Sequence, residues 1–330
     1  MADQKTSPPL RVGVVGTGGI SSAHLAGWRE LGVELHCHSL EGAEQYAERT
    51  GATVHDSLAS LLEAVDIVDV TTPTPSHPEI VHAALDADKD VICEKPFALT
   101  GEEAREMAEH AKRVGRALYP AHVVRYFPQY HAAKQAVDAG RIGTVAVLRF
   151  ERTGTLPDRD WYADEELSGG IVMDQMIHDI DQALWIAGPA VSVYAQQQIA
   201  PSDSRIRTAH VVLTHASGAI SHCRGLWGAE GTAFRYTFDI AGDAGRLQYD
   251  SDGDPGVMFD AVASARQRSG DGFLPDVSTM RDPYAAEIVD FISAIQHRTP
   301  TRVEAADGVT AVEVSRAALE SLRTGRSIAC

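Results

Sequence analysis

The first half of the chain alternates short apolar runs with longer stretches whose apolar residues recur at helical spacing. Continuous apolar runs of this kind are typical of strands that are buried on both faces of a parallel sheet. The alternation predicts a doubly wound parallel α/β sheet of about six strands over residues 10–123. The predicted strands include residues 10–16, 33–38, 66–71, 91–93 and 117–123.

Beyond residue 123 the pattern changes to strands that follow one another through tight turns. Such an order predicts a C-terminal α+β domain, residues 124–330, with a large, mostly antiparallel open sheet. We expect one uncovered face of this sheet to join copies of the chain into a homodimer or homotetramer. The predicted strands cover 143–152, 191–199, 207–215, 219–227, 234–241 and 245–249, the predicted helices cover 129–139, 171–187, 283–297 and 305–323, and a long loop is predicted at 250–280.

The composition is that of a globular protein with a strong excess of acidic residues. The 330 residues include 46 acidic and 29 basic side chains, which gives a formal net charge of −17. This charge repels phosphate backbones and anionic membrane surfaces, so neither nucleic acid nor a membrane is an expected partner. No apolar run reaches membrane-spanning length, and the four cysteines form no C-x-x-C pair, which favours a cytoplasmic location. We expect residues 1–9, which are polar and end in two prolines, to be a flexible tail.

The first predicted strand leads directly into a glycine-rich turn and then into a helix. Gly16, Gly18, Gly19, Ile20 and Ser21 form the pattern G-x-G-x-x-S, in the strand–turn–helix context that a dinucleotide fingerprint requires. The glycines permit a tight turn and let backbone N–H groups approach a pyrophosphate at the helix N-terminus. An ordinary glycine turn is the alternative, and the context makes it the weaker one. Residues 10–123 are therefore predicted to be a dinucleotide-binding Rossmann domain.

The end of the second predicted strand bears on the choice between NAD and NADP. An NAD-binding fold usually has an acid at this point, which bonds the ribose 2′-hydroxyl. Here His38, Ser39 and Leu40 occupy the position, and Glu41 comes late. His38 and Ser39 tolerate a 2′-phosphate, although no arginine stands beside them. The predicted cofactor is NAD or NADP, and the missing acid favours NADP.

Two further strand ends in this half carry residues suited to ligand binding. Thr72, Pro73 and His77 lie in a proline-rich loop after one strand, and Glu94 and Lys95 end the next strand before a proline. Ligands bind at the carboxyl ends of strands in open α/β sheets, so all five residues are predicted to contact the cofactor. Taken alone, Glu94 and Lys95 are more simply interpreted as a surface ion pair.

The predicted helix at 171–187 carries the second group of candidate residues. Asp174 and His178 are spaced i, i+4 beside an apolar stripe, which places them next to each other on one helix face. A carboxylate beside an imidazole raises its basicity and orients its ring. The glycine pair Gly169 and Gly170 lets a ligand or backbone approach the first turn. A solvated helix face with a capping histidine is the alternative interpretation.

In their order and spacing, these motifs resemble those of the Gfo/Idh/MocA family, named for glucose–fructose oxidoreductase and inositol dehydrogenase. They span nearly the whole chain and are G-x-G-x-x-S at 16–21, T-P-T-P-S-H at 72–77, E-K-P at 94–96, R-Y-F-P at 125–128, S-G-G at 168–170 and D-x-x-x-H-D-I-D at 174–181. The resemblance implies a Rossmann domain followed by an α/β domain with a large open sheet. It also implies NAD(P)-linked oxidation or reduction of a sugar, inositol or related polyol or diol.

The resemblance places the catalytic residues at Lys95, Asp174 and His178. A proton must move with each hydride, so His178 is expected to act as general acid/base. Lys95 is expected to polarise the substrate oxygen, and Asp174 is expected to orient the donor groups. No metal is expected, because the lysine supplies the electrophile. The predicted substrate-binding residues are His122, Arg125, Tyr126, Trp161, Asp174 and His178.

Two other functions fit the same motifs. One is a glycosidase that uses tightly held NAD for transient oxidation, and the other is a non-catalytic NAD(P)-binding regulator. The presence of Lys95, Asp174 and His178 argues against the regulator, because a sensor needs no proton relay.

Overall fold

The computed structural model describes residues 8–157, 160–253, 256–261 and 281–330. The described residues divide into two compact units. The first comprises those of Met1–Ala98, Glu102–Ala121 and Arg281–Ala306, and the second comprises those of Leu99–Gly101, His122–Met280 and Asp307–Cys330. Most of the predicted tail at 1–9 lies outside the described residues.

The strands and helices follow one another in an order that matches most of the predicted elements. The strands are β1 (Arg11–Val15), β2 (Glu34–His38), β3 (Thr53–Val54), β4 (Ile67–Val70), β5 (Asp90–Glu94), β6 (Leu118–Ala121), β7 (Val145–Thr155), β8 (Ala190–Ala200), β9 (Asp203–His215), β10 (Ile220–Gly228), β11 (Arg235–Gly242), β12 (Gly245–Asp250), β13 (Met258–Ala261) and β14 (Ile328–Ala329). The helices are α1 (Gly19–Leu31), α2 (Ala43–Thr50), α3 (Leu58–Ala64), α4 (His77–Asp86), α5 (Gly101–Val114), α6 (Pro128–Asp138), α7 (Asp160–Ala163), α8 (Glu165–Ser168), α9 (Gly170–Asp174), α10 (Ile177–Ala187), α11 (Pro283–His297) and α12 (Ala305–Thr324). In the described ranges, none of these helices is both long and apolar enough to cross a membrane.

The first unit contains a six-stranded sheet in the order β3-β2-β1-β4-β5-β6. All neighbouring strands run parallel. Val12, Val14 and Val15 of β1 are at most 3% exposed, which explains why this central strand is apolar without alternation. The chain changes direction across the sheet between β1 and β4, and ligands bind at such a switch point in open α/β sheets. The predicted doubly wound parallel sheet is confirmed, although the two-residue strand β3 was not predicted.

The second unit contains an eight-stranded sheet in the order β13-β12-β11-β7-β10-β9-β8-β14. Only β7 and β10 pair in parallel, so the predicted mostly antiparallel sheet is confirmed. The prediction of a loop throughout 250–280 is wrong at β13, which pairs with β12. Residues 262–280 of that loop lie outside the described residues. The short C-terminal strand β14, which extends the sheet beside β8, was also not predicted.

The predicted continuous helix at 171–187 is wrong, because the chain forms two helices with a turn between them. The N–H of Met176 donates to the carbonyl of Ile171 at 2.9 Å, one residue farther back than an α-helix allows. The Met176 side chain fills the space above Gly225 of β10, where a Cβ atom would lie 2.6 Å from it. The apolar stripe continues through the turn, so the sequence pattern alone does not reveal the break.

Helix α11 belongs to the first compact unit, whereas the sequence analysis assigned residues 124–330 to the C-terminal domain. It packs against α1 at Gly27, where a Cβ atom would lie 2.7 Å from Cβ of Ile288 and 3.2 Å from Cα of Ala285. Only a glycine allows this approach of the two helices. The long separation in sequence between α1 and α11 hides the contact from local patterns.

We expect Gly27→Val to lower the free energy of unfolding by about 1–3 kcal/mol, because extra carbons in a close-packed contact force the helices apart. Circular dichroism during thermal and urea denaturation measures the change. Ala26→Val places the same side chain at the exposed neighbouring position and controls for the presence of an added valine in α1. Equal stabilities of the two variants would contradict the tight packing of α1 on α11.

Candidate functional site

The glycine turn after β1 begins at a position that only glycine fits. Gly16 has a φ angle of +91°, and a Cβ atom there would lie 2.9 Å from the carbonyl carbon and oxygen of Thr71. The N–H of Gly16 donates to the carbonyl of His38 at 2.9 Å. The turn therefore lies at the carboxyl end of β1, against the ends of β4 and β2.

The next part of the turn offers open space in front of α1. Cβ atoms added at Gly18 or Gly19 would meet nothing within 4 Å among the described residues. Gly18 is the N-cap of α1, and no side-chain cap bonds the first turn of the helix. The half-buried Ile20 follows, and the fully buried Ser21 donates from Oγ to the carbonyl of Gly18 at 2.7 Å. Free backbone N–H groups at a helix N-terminus beside open space fit the pyrophosphate of a dinucleotide.

The end of β2 lacks an acid at the position where NAD-binding folds usually place one. His38 and Ser39 are half-buried, and the next residue, Leu40, is 98% exposed. His38 Nδ1 lies 2.9 Å from the carbonyl of His55, and Ser39 Oγ accepts from the N–H of Thr17 at 3.4 Å. Both side chains stand beside the glycine turn, but the preference for NADP stays a prediction.

His77 joins the loop after β4 to the loop after β5. Its Nε2 lies 2.9 Å from the carbonyl of Thr72 and its Nδ1 lies 3.0 Å from the carbonyl of Pro96. Burial lowers the pKa of this imidazole, although the carbonyls oppose the shift. The neutral ring has one N–H, so it donates to one carbonyl at a time. The fully buried His77 thus fixes two loops, whereas contact of His77, Thr72 or the exposed Pro73 with the cofactor stays a prediction.

Glu94 is not part of a surface ion pair, because its side chain is buried and both of its oxygens are bonded inside the first unit. Oε1 lies 3.1 Å from Nε2 of His24, and Oε2 accepts from the backbone N–H of Lys95 at 2.9 Å. Lys95 is half-buried and joins Pro96 through a cis peptide bond. His24 is not predicted from the sequence, because its partner Glu94 lies 70 residues away.

Asp174 and His178 lie on either side of the turn between α9 and α10. Asp174 is the last residue of α9 and is 7% exposed, while His178 lies in the first turn of α10 and is half-buried. The predicted i, i+4 relation assumed one helix, so the adjacency of the two side chains stays a prediction.

Two buried ion pairs that the sequence did not predict fix α10 just after His178. Arg152 of β7 donates to both oxygens of Asp179, at 3.2 and 2.8 Å. Arg125 of the 3₁₀ helix Val123–Tyr126 donates to both oxygens of Asp181, at 2.9 and 2.6 Å. Burial raises the pKa of Asp179, and the guanidinium of Arg152 opposes the shift without cancelling it. These pairs hold the backbone of α10 in one orientation.

Both halves of the chain match models of a single family. Residues 10–122 match the model described as "Oxidoreductase family, NAD-binding Rossmann fold", and residues 130–248 match the "GFO/IDH/MocA C-terminal domain". The chain belongs to the Gfo/Idh/MocA family of oxidoreductases. The predicted family, fold class, oxidoreductase assignment and nicotinamide cofactor are thereby confirmed, with an NAD-binding domain at residues 10–122.

Two dehydrogenases and one solved structure show the extent of the similarity. The chain is 29% identical to myo-inositol 2-dehydrogenase of Thermotoga maritima, over 97% of this chain and 98% of that protein. It is 28% identical to inositol 2-dehydrogenase of Rubrobacter xylanophilus, over 97% of this chain and 92% of that protein. The crystal structure of GenD2 from gentamicin A biosynthesis, in complex with NAD, matches with a TM-score of 0.84 and 25% identity, covering 100% of this chain and 99% of that chain.

The remaining predicted substrate residues of this Gfo/Idh/MocA chain are mostly buried. His122 and Tyr126 are 1% and 3% exposed. Arg125 is 2% exposed, and beyond Asp181 it also contacts Asp307 at 3.1 Å. Trp161 is half-buried in α7 and stacks on the neighbouring Tyr162, with ring centroids 3.8 Å apart. Arg125 thus fixes elements of the second unit, and the substrate contacts of all four residues stay predictions.

The described residues contain no group of three or more His, Cys, Asp or Glu side chains arranged to hold a metal ion. Binding of a nicotinamide dinucleotide by the backbone groups of the glycine turn stays a prediction. Hard and borderline metal ions need several convergent side-chain ligands, whereas the glycine turn presents backbone groups.

We expect Gly18→Val to fold normally but to lose at least about tenfold in NAD affinity, equivalent to about 1.4 kcal/mol. The Cβ atom of the new side chain would lie more than 4 Å from every described residue outside its chain neighbours, so the side chain enters the open space that the pyrophosphate needs. Isothermal titration with NAD and NADP, together with the thermal midpoint without cofactor, measures the two effects. Ala26→Val on the same helix is the control, and unchanged affinity in Gly18→Val would contradict the assignment of the turn.

We expect Arg125→Met to destabilise the protein by about 3–5 kcal/mol, because it leaves the carboxylate of Asp181 buried without its main partner. Arg149→Met is the matched control, since Arg149 makes a half-exposed pair with Asp239 that is worth about 0–1 kcal/mol. Thermal and urea denaturation compare the two variants. A stable Arg125→Met variant with a raised substrate KM would indicate that Arg125 binds substrate instead.

Proposed function

We propose that the chain is an NAD(P)-dependent oxidoreductase that moves a hydride between nicotinamide and a hydroxyl-bearing carbon of a sugar, inositol or related polyol or diol. The observation that carries the proposal is the glycine turn at the switch point between β1 and β4 in a Gfo/Idh/MocA chain. The similarity to two inositol dehydrogenases over 97% of the chain supports a polyol as substrate.

The cofactor, when bound, supplies the carbon that accepts or donates the hydride. The N–H groups at the start of α1 would hold its pyrophosphate, and the end of β2 would lie against the adenosine ribose. The family model and the NAD complex of GenD2 favour NAD, whereas the missing acid after β2 favours NADP. Steady-state kinetics with both cofactors decides between them.

Three side chains of the chain carry the proton chemistry. In the direction of oxidation, His178 accepts the proton of the substrate hydroxyl, and such transfer contributes about 10²–10⁴-fold to the rate. The Lys95 ammonium donates a hydrogen bond to the same oxygen as negative charge develops on it. Asp174 orients the groups that bond the substrate, and the buried pairs of Asp179 and Asp181, which follow His178, keep α10 in place.

The proposed homodimer or homotetramer uses the outer face of the eight-stranded sheet. Tyr194, Val212 and His222 are neighbours across β8, β9 and β10 on that face, and each is exposed or half-exposed. A broad sheet face with apolar side chains favours association with a second copy. Size-exclusion chromatography with light scattering tests the oligomeric state.

The two other candidate functions predict different observations. A glycosidase with tightly held NAD releases sugar from a glycoside without net formation of NADH. A regulator keeps its biological effect when Lys95 and His178 are replaced. A screen of sugars, inositols and diols with both cofactors, monitored by nicotinamide absorbance, separates these functions from a dehydrogenase.

We expect Lys95→Met and His178→Asn to lower kcat by about 10²–10⁴-fold, because both groups act on the substrate oxygen. NAD affinity should change little in His178→Asn, since of these two residues only Lys95 is also predicted to contact the cofactor. Lys112→Met and His297→Asn remove the same side-chain types from exposed positions and serve as controls. Stopped-flow and steady-state absorbance measure the rates. Full activity in either site variant would contradict its catalytic role.

A further inference from the structure

A cluster of buried ionisable side chains lies behind the end of β5 in the first unit. His24 of α1, Asp69 of β4 and Glu287 of α11 are 0% exposed, and Glu94 of β5 is 4% exposed. Such groups are costly to bury as charges, so each is expected to be either paired or neutral. The proposed chemistry assigns no role to His24, Asp69 or Glu287.

The imidazole of His24 lies between two carboxylates. Its Nδ1 is 3.0 Å from both oxygens of Asp69, and its Nε2 is 3.1 Å from Oε1 of Glu94. Trp28 donates from Nε1 to Asp69 at 2.8 Å. An ionised carboxylate only accepts hydrogen bonds, so both ring nitrogens of His24 carry a proton and donate.

The pKa shifts of His24 and Glu94 agree with this hydrogen-bond geometry. Burial lowers the pKa of His24, but Asp69 and Glu94 outweigh it and raise that pKa well above its usual value. Burial raises the pKa of Glu94, and His24 and Lys95 outweigh it, so that the pKa of Glu94 is lowered. The imidazolium is therefore present at neutral pH, and the stability that it contributes is lost only as the pH rises through its raised pKa.

Two side chains of α11, the carboxyl group of Glu287 and the phenol of Tyr284, face the same imidazole. Burial raises the pKa of Glu287 well above its usual value, and Glu94 and Asp69 add to the shift while His24 opposes it. Neither oxygen of Glu287 has a hydrogen-bond partner among the described residues. The ring of Tyr284 lies 6.1 Å from that of His24. A protonated Glu287 adds no charge, so the imidazolium faces two carboxylates.

The cluster continues to Lys95 through Glu94. While Oε1 of Glu94 accepts from His24, its Oε2 accepts from the backbone N–H of Lys95 at 2.9 Å. A carboxylate bonded through both oxygens has little freedom to rotate. The backbone of Lys95 is therefore fixed to the interior of the unit by way of His24 and Glu94.

We propose that His24 is a positioning residue. By bonding Glu94, it fixes the position of the Lys95 amine during the reaction. The proposal rests on the proposed function, in which the Lys95 amine bonds a substrate oxygen. Misplacement by about 1 Å costs an enzyme on the order of 10²-fold in rate, so a loosened Glu94 is measurable in kcat.

Two replacements of His24 separate positioning from packing. The amide nitrogen of Gln takes the place of Nε2 and can donate to Glu94, whereas that of Asn takes the place of Nδ1 and reaches only Asp69. We expect His24→Asn to lower kcat by at least about tenfold with NAD affinity nearly unchanged, and His24→Gln to restore most of the loss. Trp28→Phe removes a donor to Asp69 without touching Glu94, so it should lower the thermal midpoint and leave kcat unchanged.

A second readout needs no enzymatic activity. The chain has five lysines, Lys5, Lys89, Lys95, Lys112 and Lys134, so reductive methylation with ¹³C-formaldehyde gives a simple NMR spectrum in which Lys95→Arg assigns the signal of Lys95. His24→Asn should shift or broaden that signal, and Trp28→Phe should not. If the wild type proves inactive with every substrate but the signal shifts, the proposed function fails while the structural link from His24 to Lys95 stands.

Several outcomes would overturn the positioning role. One is an equal kcat in the Asn and Gln variants, and another is a Lys95 signal that no His24 variant changes. If His24→Asn does not fold, Glu94→Gln provides the test, because an amide cannot accept from both His24 and Lys95. Unchanged kcat and an unchanged Lys95 signal in Glu94→Gln would then refute the link from the cluster to Lys95.

Discussion

The hydrogen bonds from the buried imidazole of His24 to two carboxylates join three elements of the first unit. It fixes α1 to β4 through Asp69 and to β5 through Glu94. Desolvation of the three charges costs about as much as their attraction returns, so the cluster adds little net stability. Its effect is on geometry, because removing any partner leaves a buried charge without compensation. The start of α1 with its glycine turn and the end of β5 therefore keep a fixed relation.

The second unit uses the same kind of interaction around a different element. Asp179 and Asp181 point from α10 to Arg152 and Arg125, and each pair has two parallel hydrogen bonds. Bidentate pairs define direction as well as distance. Both aspartates follow His178 closely in sequence, so the helix backbone just after His178 is fixed at two points. In each unit, a candidate catalytic residue is thus adjacent to a buried charged pair that holds the backbone.

The sequence revealed the elements whose signals are local. The apolar run of β1 and the glycines after it predicted strand, turn and helix. Each residue type there suits the burial or the backbone conformation of its own position. The two-residue strands β3 and β14 were missed, since two residues carry no periodicity. The break at Met176 was missed because an apolar stripe continues through it. The His24–Glu94 contact was missed because it joins residues 70 positions apart, and a lone histidine in a helix gives no sign of its partners.

The distribution of these buried pairs also bears on substrate choice. Arg125, which the sequence suggested for substrate binding, is held by Asp181 and Asp307, so its guanidinium has few directions left in which to act. Trp161 and Tyr162 lie instead in α7, a four-residue helix, and so short a helix has no stability apart from its packing. Substitutions there can change the local surface without disturbing α10 or β5. A fixed framework with adaptable short elements is consistent with one fold serving several substrates, since function depends on sites built on the fold and not on the fold itself.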